Sequence, residues 1–447
     1  MKSVLVLGAG KSSHHLIQYL VAYAQKSTIE LTVADIDISK LEIEYKDAQN
    51  VFFNPILANN YDSIERLVID KTIVISMLPA TMHIHVARLC LKHSCHLLTP
   101  SYISDEMKSL DAEARAKKLL FFNELGFDPG IDHMTTMKLY HEIESNGGHL
   151  YSYKSYAGGL VAQKSDNNPW NYKFSWNPRN VILAGQGGTI KYKEATVEKY
   201  IPYYSLFKKA ETIALQDSTE FDAYANRDSL KYEEIYGWEN VKTLLRGTLR
   251  KKGFCHAWSV LVELGLTDDS FILKNTKELS YFDFYSHFYS FGSMASAKED
   301  LAQYLHVSKE SELINKLDAI GFFNQNEFIE LKEGSPAVIL QSILEKKWKL
   351  EDTDTDWVIM VHFLEYTKDN KSYKIESSLS LEGHDNIFTA MSRTVGMPIA
   401  YACELILEGK INEVGVHLPI LPQLYLPILE KLEEEGIHFN ETITEIN

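Results

Sequence analysis

The stretch SVLVLGAGKSS, residues 3–13, decides the fold of this chain. A short apolar run, a Gly-x-Gly turn and an amphipathic segment, in that order, predict a strand, a tight turn and a helix. In such a turn the first glycine bends the chain, and the second lets the backbone approach a pyrophosphate at the helix N-terminus. Ser13 takes the third position of the G-x-G-x-x-G pattern, where only a small residue is needed. We therefore predict a dinucleotide-binding turn at Gly8–Ser13, with a purely structural turn as the alternative.

An acidic residue ends the second predicted strand. Asp35 follows Leu31–Ala34, and a carboxylate at this position can accept both hydrogen bonds of an adenosine ribose diol. It would also repel a 2′-phosphate, and the next basic residue along the chain is Lys40. These residues predict NAD as the cofactor, with NADP less favoured.

The first 130 residues alternate short apolar runs with longer amphipathic segments. The predicted strands are Val4–Leu7, Leu31–Ala34, Val51–Phe53, Ile73–Ser76, His96–Thr99 and Leu119–Asn123. Helical patterns lie near 12–25, 60–69, 81–93 and 104–118. This alternation predicts an α/β fold with an N-terminal Rossmann domain, a doubly wound parallel sheet.

The sequence pattern changes after Asn123–Gly130. A helical pattern near 131–146 is followed by segments rich in Tyr, Gly and Asn up to about residue 270. Short helical patterns occupy 278–350. The chain then has two long alternating strands, Trp357–Tyr366 and Tyr373–Leu381, and helical patterns near 388–408 and 422–436.

Charge and composition argue against several classes of protein. The 447 residues include 45 Lys and Arg against 61 Asp and Glu, a net charge of −16 at pH 7. We expect neither a nucleic-acid partner nor a membrane partner, because both need a broad basic surface. The four cysteines form no CxxC pair, and no apolar run approaches the roughly 18 residues of a membrane span. We therefore expect a cytoplasmic protein with reduced thiols.

Three polar segments follow the later strands of the predicted sheet. They are Ser76–Pro79, Thr99–Tyr102 and Glu124–Gly130. The carboxyl ends of the strands of a doubly wound sheet share one edge, and ligands bind there. Asp128 is our candidate catalytic residue at this edge. Its alternative role is the N-cap of the helix that begins near Ile131, and both roles are compatible.

Two arginines in the second region are candidates for binding an anionic substrate. Arg227 and Arg246 could each pair with a carboxylate through two hydrogen bonds, with surface ion pairs as the alternative.

The histidines suggest no metal site. The spacing of His83 and His85, and that within His93–His96, fits no metal motif, so we predict ordinary core or surface histidines and no metal site.

Longer motifs identify a family. They are SYIS at 101–104, NELGFDPGIDH at 123–133, SYAGGL at 155–160, YKFSW at 172–176, LRGTLR at 245–250 and FTAMSRTVGMP at 388–398. With these motifs in this order, the chain resembles the L-glutamate-forming saccharopine dehydrogenases, also called saccharopine reductases, from residue 1 to about 440.

The resemblance implies a division into domains and a homodimer. Residues 1–130 would form the Rossmann domain, with helices of 388–447 returning to it. Residues 131–270 and 356–387 would form an α/β substrate and dimerisation domain, and 271–355 a small helical domain inserted in it.

The resemblance also implies two sets of contacts. The cofactor contacts would be Gly8, Gly10, Lys11, Ser12, Ser13, Asp35, Ile36, Leu78, Thr99, Ser101, Leu125, Asp128 and Ser175. The saccharopine contacts would be Ser101, Tyr102, Asp128, Arg227, Arg246, Gly247 and Thr248. Fungal members carry Cys-Arg-Thr at the positions of Asp35–Asp37, so we do not expect their NADP preference here. They also carry Cys at the position of Ala157, so no thiol acid–base role is expected.

The expected activity is a dinucleotide-dependent oxidation of a C–N bond. Saccharopine and water would give L-glutamate and 2-aminoadipate 6-semialdehyde, or the reverse, as a step of lysine metabolism. Two alternatives remain open. One is the same fold acting on another amino-acid imine, such as carboxynorspermidine, and the other is a catalytically silent dinucleotide-binding sensor.

Overall fold

The computed structural model describes residues 2–57, 59–216, 218–238 and 240–446. The strands are β1 Lys2–Leu7, β2 Ile29–Asp35, β3 Val51–Pro55, β4 Ile73–Ser76, β5 His96–Leu98, β6 Leu120–Phe122, β7 His149–Val161, β8 Ile190–Glu194, β9 Val197–Ile201, β10 Glu211–Ala214, β11 Glu220–Ala225, β12 Thr243–Lys251, β13 Leu273–Lys274, β14 Glu333–Gly334, β15 Asp356–Lys368, β16 Lys371–Glu382, β17 Gly415–His417 and β18 Asn440–Ile446.

The helices alternate with the early strands and cluster in the later part of the chain. They are α1 His14–Lys26, α2 Ser39–Glu44, α3 Tyr61–Val68, α4 His83–His93, α5 Asp105–Lys108, α6 Asp111–Ala116, α7 Ile131–Ser145, α8 Pro178–Ile182, α9 Lys231–Tyr236, α10 Phe254–Glu263, α11 Tyr281–Ser286, α12 Ala297–Tyr304, α13 Glu312–Ala319, α14 Pro336–Lys347, α15 Ala390–Leu407 and α16 Pro422–Glu434. None of the helices described is long and apolar enough to cross a membrane.

The chain divides into two compact units. The first comprises residues 1–149, 368–370 and 387–441, and the second comprises 150–367, 371–386 and 442–447. The first unit contains a parallel sheet with strand order β17-β6-β5-β4-β1-β2-β3. β4, with the sequence IVIS, is buried along its whole length, as a central parallel strand must be. The predicted N-terminal doubly wound sheet is confirmed.

A late helix packs closely on the helix that follows the glycine turn. A Cβ atom at Gly396 of α15 would lie 3.0 Å from the backbone nitrogen of Leu16 in α1. Near the start of α1, the Ser392 hydroxyl accepts a hydrogen bond from the His15 backbone N–H at 3.2 Å. Glycine at 396 therefore permits a close crossing that supports the first turns of α1.

The second unit is built on a mixed sheet with strand order β10-β11-β12-β7-β15-β16-β18, to which β8 and β9 are added beside β12. β12 pairs in parallel with β7 and antiparallel with β11. Helices α10–α14 pack on a large apolar core that includes Trp170, Trp258 and Trp348. A second α/β unit with a mixed sheet is thus present, as predicted.

Three predicted domain limits differ from the observed division. α7 lies in the first unit, although the first domain was expected to end at residue 130. The helices within 271–355, expected as a small inserted domain, lie in the second unit and share one continuous apolar core with the residues around the second sheet. Finally, β18 joins the second sheet beside β16, although 388–447 was expected to return as helices to the first domain. Its sequence, NETITEI, is almost wholly exposed and carries no apolar face that signals a buried strand.

Candidate active site

The glycine turn has the geometry of a ligand cradle. Gly8 has a φ of +101°, and its N–H donates to Ala34 O at 2.8 Å. A Cβ atom at Gly8 would lie 3.0 Å from backbone atoms of Met77, whereas a Cβ atom at Gly10 would meet nothing within 4 Å. Gly8 is therefore required by packing, and Gly10 leaves open space where a ligand can approach the backbone.

Ser13 completes the turn from the inside. Its side chain is buried, and its hydroxyl donates to Gly10 O at 2.6 Å while its N–H donates to the same oxygen at 3.0 Å. Ser13 thus replaces the usual small apolar residue without leaving an unpaired hydroxyl in the interior. Lys11 is exposed and Ser12 is half-buried on the outer side of the turn.

A cavity of about 260 Å³ opens beside the glycine turn. Its lining consists of Leu7, Gly8, Gly10, Ala34, Asp35, Ile36, Ile56, Ile64, Met77, Leu78 and Pro79. The apolar walls and the exposed glycine backbone suit the adenosine end and the pyrophosphate of a dinucleotide. Predicted cofactor contacts Gly8, Gly10, Asp35, Ile36 and Leu78 are therefore brought together.

Asp35 makes contacts that were not anticipated from the sequence. Its Oδ2 accepts a hydrogen bond from the Ala9 backbone N–H at 2.6 Å, so this carboxylate ties β2 to the glycine turn. The next residue, Ile36, is 69% exposed. Asp37 is exposed as well, and its Oδ1 accepts hydrogen bonds from Ser39, which lower the pKa of this carboxyl. We refer to residues 35–40 as the β2 turn.

The loops after β5 and β6, residues 99–103 and 124–133, bind each other through several hydrogen bonds, and we call them the strand-end network. The Glu124 N–H donates to Ser101 O at 3.2 Å, and Glu124 Oε1 accepts from the Ile103 N–H at 2.9 Å. The two predicted site segments therefore form one rigid unit at the carboxyl edge of the first sheet.

Thr99 and Leu125, both predicted cofactor contacts, belong to the same network. The Leu125 N–H donates to Thr99 O at 3.2 Å, and both side chains are buried. Gly130 shows why the second loop is so compact. A Cβ atom there would lie 2.1 Å from Gly126 O, so any other residue would push the loop apart.

Asp128 is half-buried and is held by a tyrosine. The Tyr102 hydroxyl donates to Asp128 Oδ1 at 2.9 Å. The N-cap of α7 is Gly130, whose N–H donates to Asp132 Oδ1 at 2.6 Å. Asp128 is therefore not the N-cap of α7, and this alternative role is wrong. The pair of Tyr102 and Asp128 instead forms a polar dyad that can bind or transfer a proton.

Two polar residues of the strand-end network, and one residue outside it that contacts it, were not predicted. Glu124 and His133 are fully buried, and Glu124 Oε2 lies 2.7 Å from His133 Nε2. His83 is also buried and contacts Ser101, a predicted site residue. Glu124 and His133 lie inside the NELGFDPGIDH motif, which could have signalled them. The contact of His83 joins residues 18 positions apart and has no local signal.

In the second unit, Arg246 is a buried cation on β12. It is 5% exposed, and its guanidinium lies 4.3 Å from the centre of the Tyr232 ring. Arg246 and Thr248 are two residues apart on the strand, so they share one face, and Thr248 is half-buried. Gly247 faces the other way and packs against the ring of Tyr156, where a Cβ atom would come within 2.5 Å.

Arg227 and Ser175 differ from Arg246 in their surroundings. Arg227 is exposed, with a φ of +55°, in the loop that follows β11. Ser175 is 1% exposed, and its hydroxyl has no hydrogen-bond partner among the residues described. A buried hydroxyl without a partner is costly, so Ser175 is suited to meet a ligand. The neighbouring Lys173 is anchored by a buried ion pair with Asp354 at 2.5 Å.

Comparisons with known proteins agree with this geometry. The model of the saccharopine dehydrogenase NADP binding domain matches residues 4–121, and that of the saccharopine dehydrogenase C-terminal domain matches residues 126–437. The chain belongs to the saccharopine dehydrogenase family. Saccharopine dehydrogenase [NADP(+), L-glutamate-forming] of Schizosaccharomyces pombe is 31% identical over 454 residues, 99% of each chain. Bovine mitochondrial alpha-aminoadipic semialdehyde synthase is 30% identical over 99% of this chain and 48% of its own length.

Solved structures support the same saccharopine dehydrogenase fold. The apo L-Glu-forming saccharopine dehydrogenase of Saccharomyces cerevisiae has a TM-score of 0.88 and 27% identity, with 99% of this chain and 100% of that chain covered. Homospermidine synthase of Legionella pneumophila, with a TM-score of 0.56 and 11% identity over 99% of this chain and 91% of that chain, shares only the fold.

The prediction of NAD as the cofactor is wrong. The matched domain of the saccharopine dehydrogenase family is an NADP binding domain, and three relatives are named NADP(+) enzymes. The physical reason lies in the β2 turn. In the structure Asp35 Oδ2 accepts a hydrogen bond from the Ala9 N–H, so this carboxylate has a structural contact with the glycine turn in addition to any contact with a ribose, and its presence alone does not identify NAD. The roles of the other site residues stay predictions, as do the homodimer, the cytoplasmic location and the absence of a metal.

Proposed function

We propose that this protein catalyses the NADP-dependent interconversion of saccharopine and water with L-glutamate and 2-aminoadipate 6-semialdehyde. The observation that carries the proposal is the Tyr102–Asp128 dyad, which lies in the same strand-end network as predicted cofactor contacts. The full-length similarity to enzymes named for this reaction supports it. The reaction belongs to lysine metabolism.

The cofactor would be held at the glycine turn of the first unit. Gly8 and Gly10 would present the backbone to the pyrophosphate, while Ile36 and Leu78 would contact the adenosine. When bound, the nicotinamide ring supplies the chemistry of the redox step, because it accepts a hydride from the carbon next to the secondary amine of saccharopine. The remaining steps are proton transfers and the addition of water.

Asp128 would carry out the proton transfers. The secondary amine must lose its proton before the hydride can leave, and the resulting imine must then gain water. The Tyr102 hydroxyl donates to Asp128 Oδ1 at 2.9 Å and so fixes this half-buried carboxylate in the strand-end network, where it would meet the substrate. Tyr102 thus orients the carboxylate, and Asp128 accepts and returns a proton or pairs with the protonated amine.

Arginine residues of the second unit would bind substrate carboxylates. Saccharopine has three carboxylates, and the protein as a whole is acidic, so local cations are needed. Arg246 is held against Tyr232 and is buried, so its pair with a carboxylate would be poorly screened by solvent. Arg227 is exposed and would contribute less.

A product analysis tests this proposal. Purified protein is incubated with NADP and saccharopine, and in parallel with NADP and carboxynorspermidine, and products are identified by mass spectrometry. We expect glutamate and the semialdehyde, in amounts equal to the NADPH formed, from saccharopine alone. Turnover of carboxynorspermidine without turnover of saccharopine would replace the proposed substrate. Dinucleotide binding with no turnover of either compound would favour a silent sensor.

A further inference from the structure

A buried histidine links three hydroxyl groups at the carboxyl edge of the first sheet. His83 is the first residue of α4 and is 4% exposed. Its Nδ1 lies 2.9 Å from Ser76 Oγ, at the end of β4. Its Nε2 lies 2.7 Å from Ser101 Oγ and 3.0 Å from Thr99 Oγ1, both just beyond β5. Both ring nitrogens therefore have hydroxyl partners, and the ring connects two strand ends.

Ser101 is held on its backbone as well as on its side chain. Its N–H donates to Thr99 Oγ1 at 3.3 Å, and its carbonyl accepts from the Glu124 N–H at 3.2 Å. Its hydroxyl is in contact with His83, yet the residue stays half-buried and accessible. A hydroxyl can donate one hydrogen bond and accept others, so the contact with His83 leaves Ser101 one oriented bond for a ligand.

The position of the ring proton of His83 decides whether the Ser101 hydroxyl donates a hydrogen bond to a ligand or accepts one from it. Burial lowers the pKa of His83 to about 4, so the imidazole is neutral at pH 7 and carries one N–H. If Nε2 carries the proton, it donates to Ser101 Oγ, and the Ser101 O–H is free to donate to a ligand. If Nδ1 carries the proton, Nε2 accepts an O–H from Ser101 at 2.7 Å or from Thr99 at 3.0 Å. The shorter contact favours Ser101, whose hydroxyl could then only accept from a ligand.

We propose that His83 is a positioning residue that makes Ser101 a hydrogen-bond donor to a carboxylate of the substrate. In this arrangement the Ser76 O–H donates to His83 Nδ1, His83 Nε2–H donates to Ser101 Oγ, and the Ser101 O–H donates outward. The proposal rests on the proposed function, because saccharopine offers carboxylates, and an ionised carboxylate only accepts hydrogen bonds.

Variants at His83 test the arrangement through kinetics. His83→Leu removes both ring nitrogens, while His83→Gln places an amide N–H near the position of Nε2. We expect His83→Leu to raise the KM for saccharopine at least about tenfold, and His83→Gln to stay within about threefold of the wild type. The Kd for NADPH, measured by its fluorescence, should rise by a clearly smaller factor than the KM for saccharopine in His83→Leu. Thr99 and Ser101 are also predicted cofactor contacts, but the oriented donor serves the substrate.

His96 provides a matched control in the same sheet. It begins β5 at the opposite edge, where its Nδ1 accepts the Leu120 N–H at 3.0 Å. His96→Leu should lower the melting temperature without raising the KM for saccharopine. If the KM rises equally in His83→Leu and His96→Leu, or equally in His83→Leu and His83→Gln, the positioning role is overturned. A raised Kd for NADPH with an unchanged KM for saccharopine also overturns it.

The ring proton can be located without any turnover. In protein labelled with ¹⁵N-histidine, the His83 signals are those that vanish in His83→Gln, and their long-range couplings report which nitrogen carries the proton. We expect the Nε2–H form in the wild type, and loss of this preference in Ser76→Ala. The Nδ1–H form would overturn the proposal. Absence of saccharopine turnover by the wild type overturns the proposed function and this inference with it, whereas turnover that is unaffected in His83→Leu overturns the inference alone.

Discussion

The strand-end network and the β2 turn lie along the same edge of one sheet but are built differently. In the network, Glu124 and His133 are fully buried, and hydrogen bonds join the loops after β5 and β6. In the β2 turn, Ile36 and Asp37 are exposed. The network fixes Tyr102 and Asp128, for which we propose the proton-transfer role, whereas the β2 turn leaves the side chains beside the proposed cofactor cavity on the surface. The difference teaches that chemistry was easier to assign from the sequence than cofactor preference.

The largest effect is expected from Asp128→Asn in the strand-end network. Asparagine keeps the shape and can accept the Tyr102 hydrogen bond, but it is neither a base nor an anion. We expect kcat with saccharopine to fall about 10²-fold or more. The melting temperature should stay near that of the wild type, because Gly130 and Asp132 hold the start of α7. Steady-state kinetics and thermal unfolding measure the two quantities.

A milder variant separates orientation from proton transfer in the dyad. Tyr102→Phe removes only the hydroxyl that orients Asp128, so kcat should fall about tenfold, the value of one hydrogen bond to a charged group. If Asp128→Asn keeps kcat within about threefold of the wild type, the dyad is not catalytic and the network has only a structural role.

The second unit repeats the contrast between a buried and an exposed position. Arg246→Gln should raise the KM for saccharopine about tenfold or more, because it removes a charge-assisted hydrogen bond from a buried site. Arg227→Gln should change it by less than about fivefold, because Arg227 is exposed and its charge is screened. The Kd for NADP serves as the control and should not change. Equal effects of both variants would show that burial does not rank these arginines.

His83, which contacts the strand-end network through Ser101 and Thr99, should make the stability of the protein depend on pH. The pKa of His83 is lowered to about 4 by burial, whereas an unfolded histidine has a pKa near 6.5. The unfolded state therefore binds more protons between these values, and stability is lost as the pH falls from about 6.5 toward about 4. Between pH 7 and pH 4.5 this amounts to about 2 kcal/mol. Urea unfolding of the wild type and His83→Gln at both pH values should show a smaller loss in the variant.

The smallest effect is expected in the β2 turn. Asp35→Asn keeps an oxygen that can accept the Ala9 N–H, but it removes a negative charge from the region that faces the cofactor. We expect the KM for NADP to fall about two- to fivefold, with kcat unchanged, because the charge is only partly buried. Asp37→Asn is the matched control. Asp37 is exposed and follows Ile36, which lines the cavity, so its variant should lower the KM for NADP by a smaller factor. A rise in the KM for NADP would mean that the carboxylate itself binds the cofactor.

Sequence periodicity was sufficient for the first sheet and its glycine turn, because these features are local. The run SVLVL before Gly8 and the buried run IVIS each report a parallel strand directly. β17 has three residues and β18 is nearly all exposed, so neither strand has an apolar pattern from which it could be predicted. The sequence therefore predicted the sheet but not its last strand, nor the strand that closes the chain.

Candidate site residues could be named from the sequence where they lie within a long motif. They could not be named where their contacts involve residues far away along the chain. Asp128 lies within such a motif, and Tyr102 precedes it by 26 residues. The contact of Asp35 with the Ala9 N–H was not predicted because this partner comes from another loop, 26 residues away. His83 was treated as an ordinary histidine because its three hydroxyl partners come together only in the folded sheet.

The most direct test of the account is the initial rate of NADPH formation by the wild type with saccharopine as the only reductant, beside Asp128→Asn under the same conditions. The account predicts rapid reduction of NADP by the wild type, with kcat/KM higher for NADP than for NAD, and a rate lower by about 10²-fold in the variant. No reduction of NADP by the folded wild type, or equal rates in the two proteins, would contradict it.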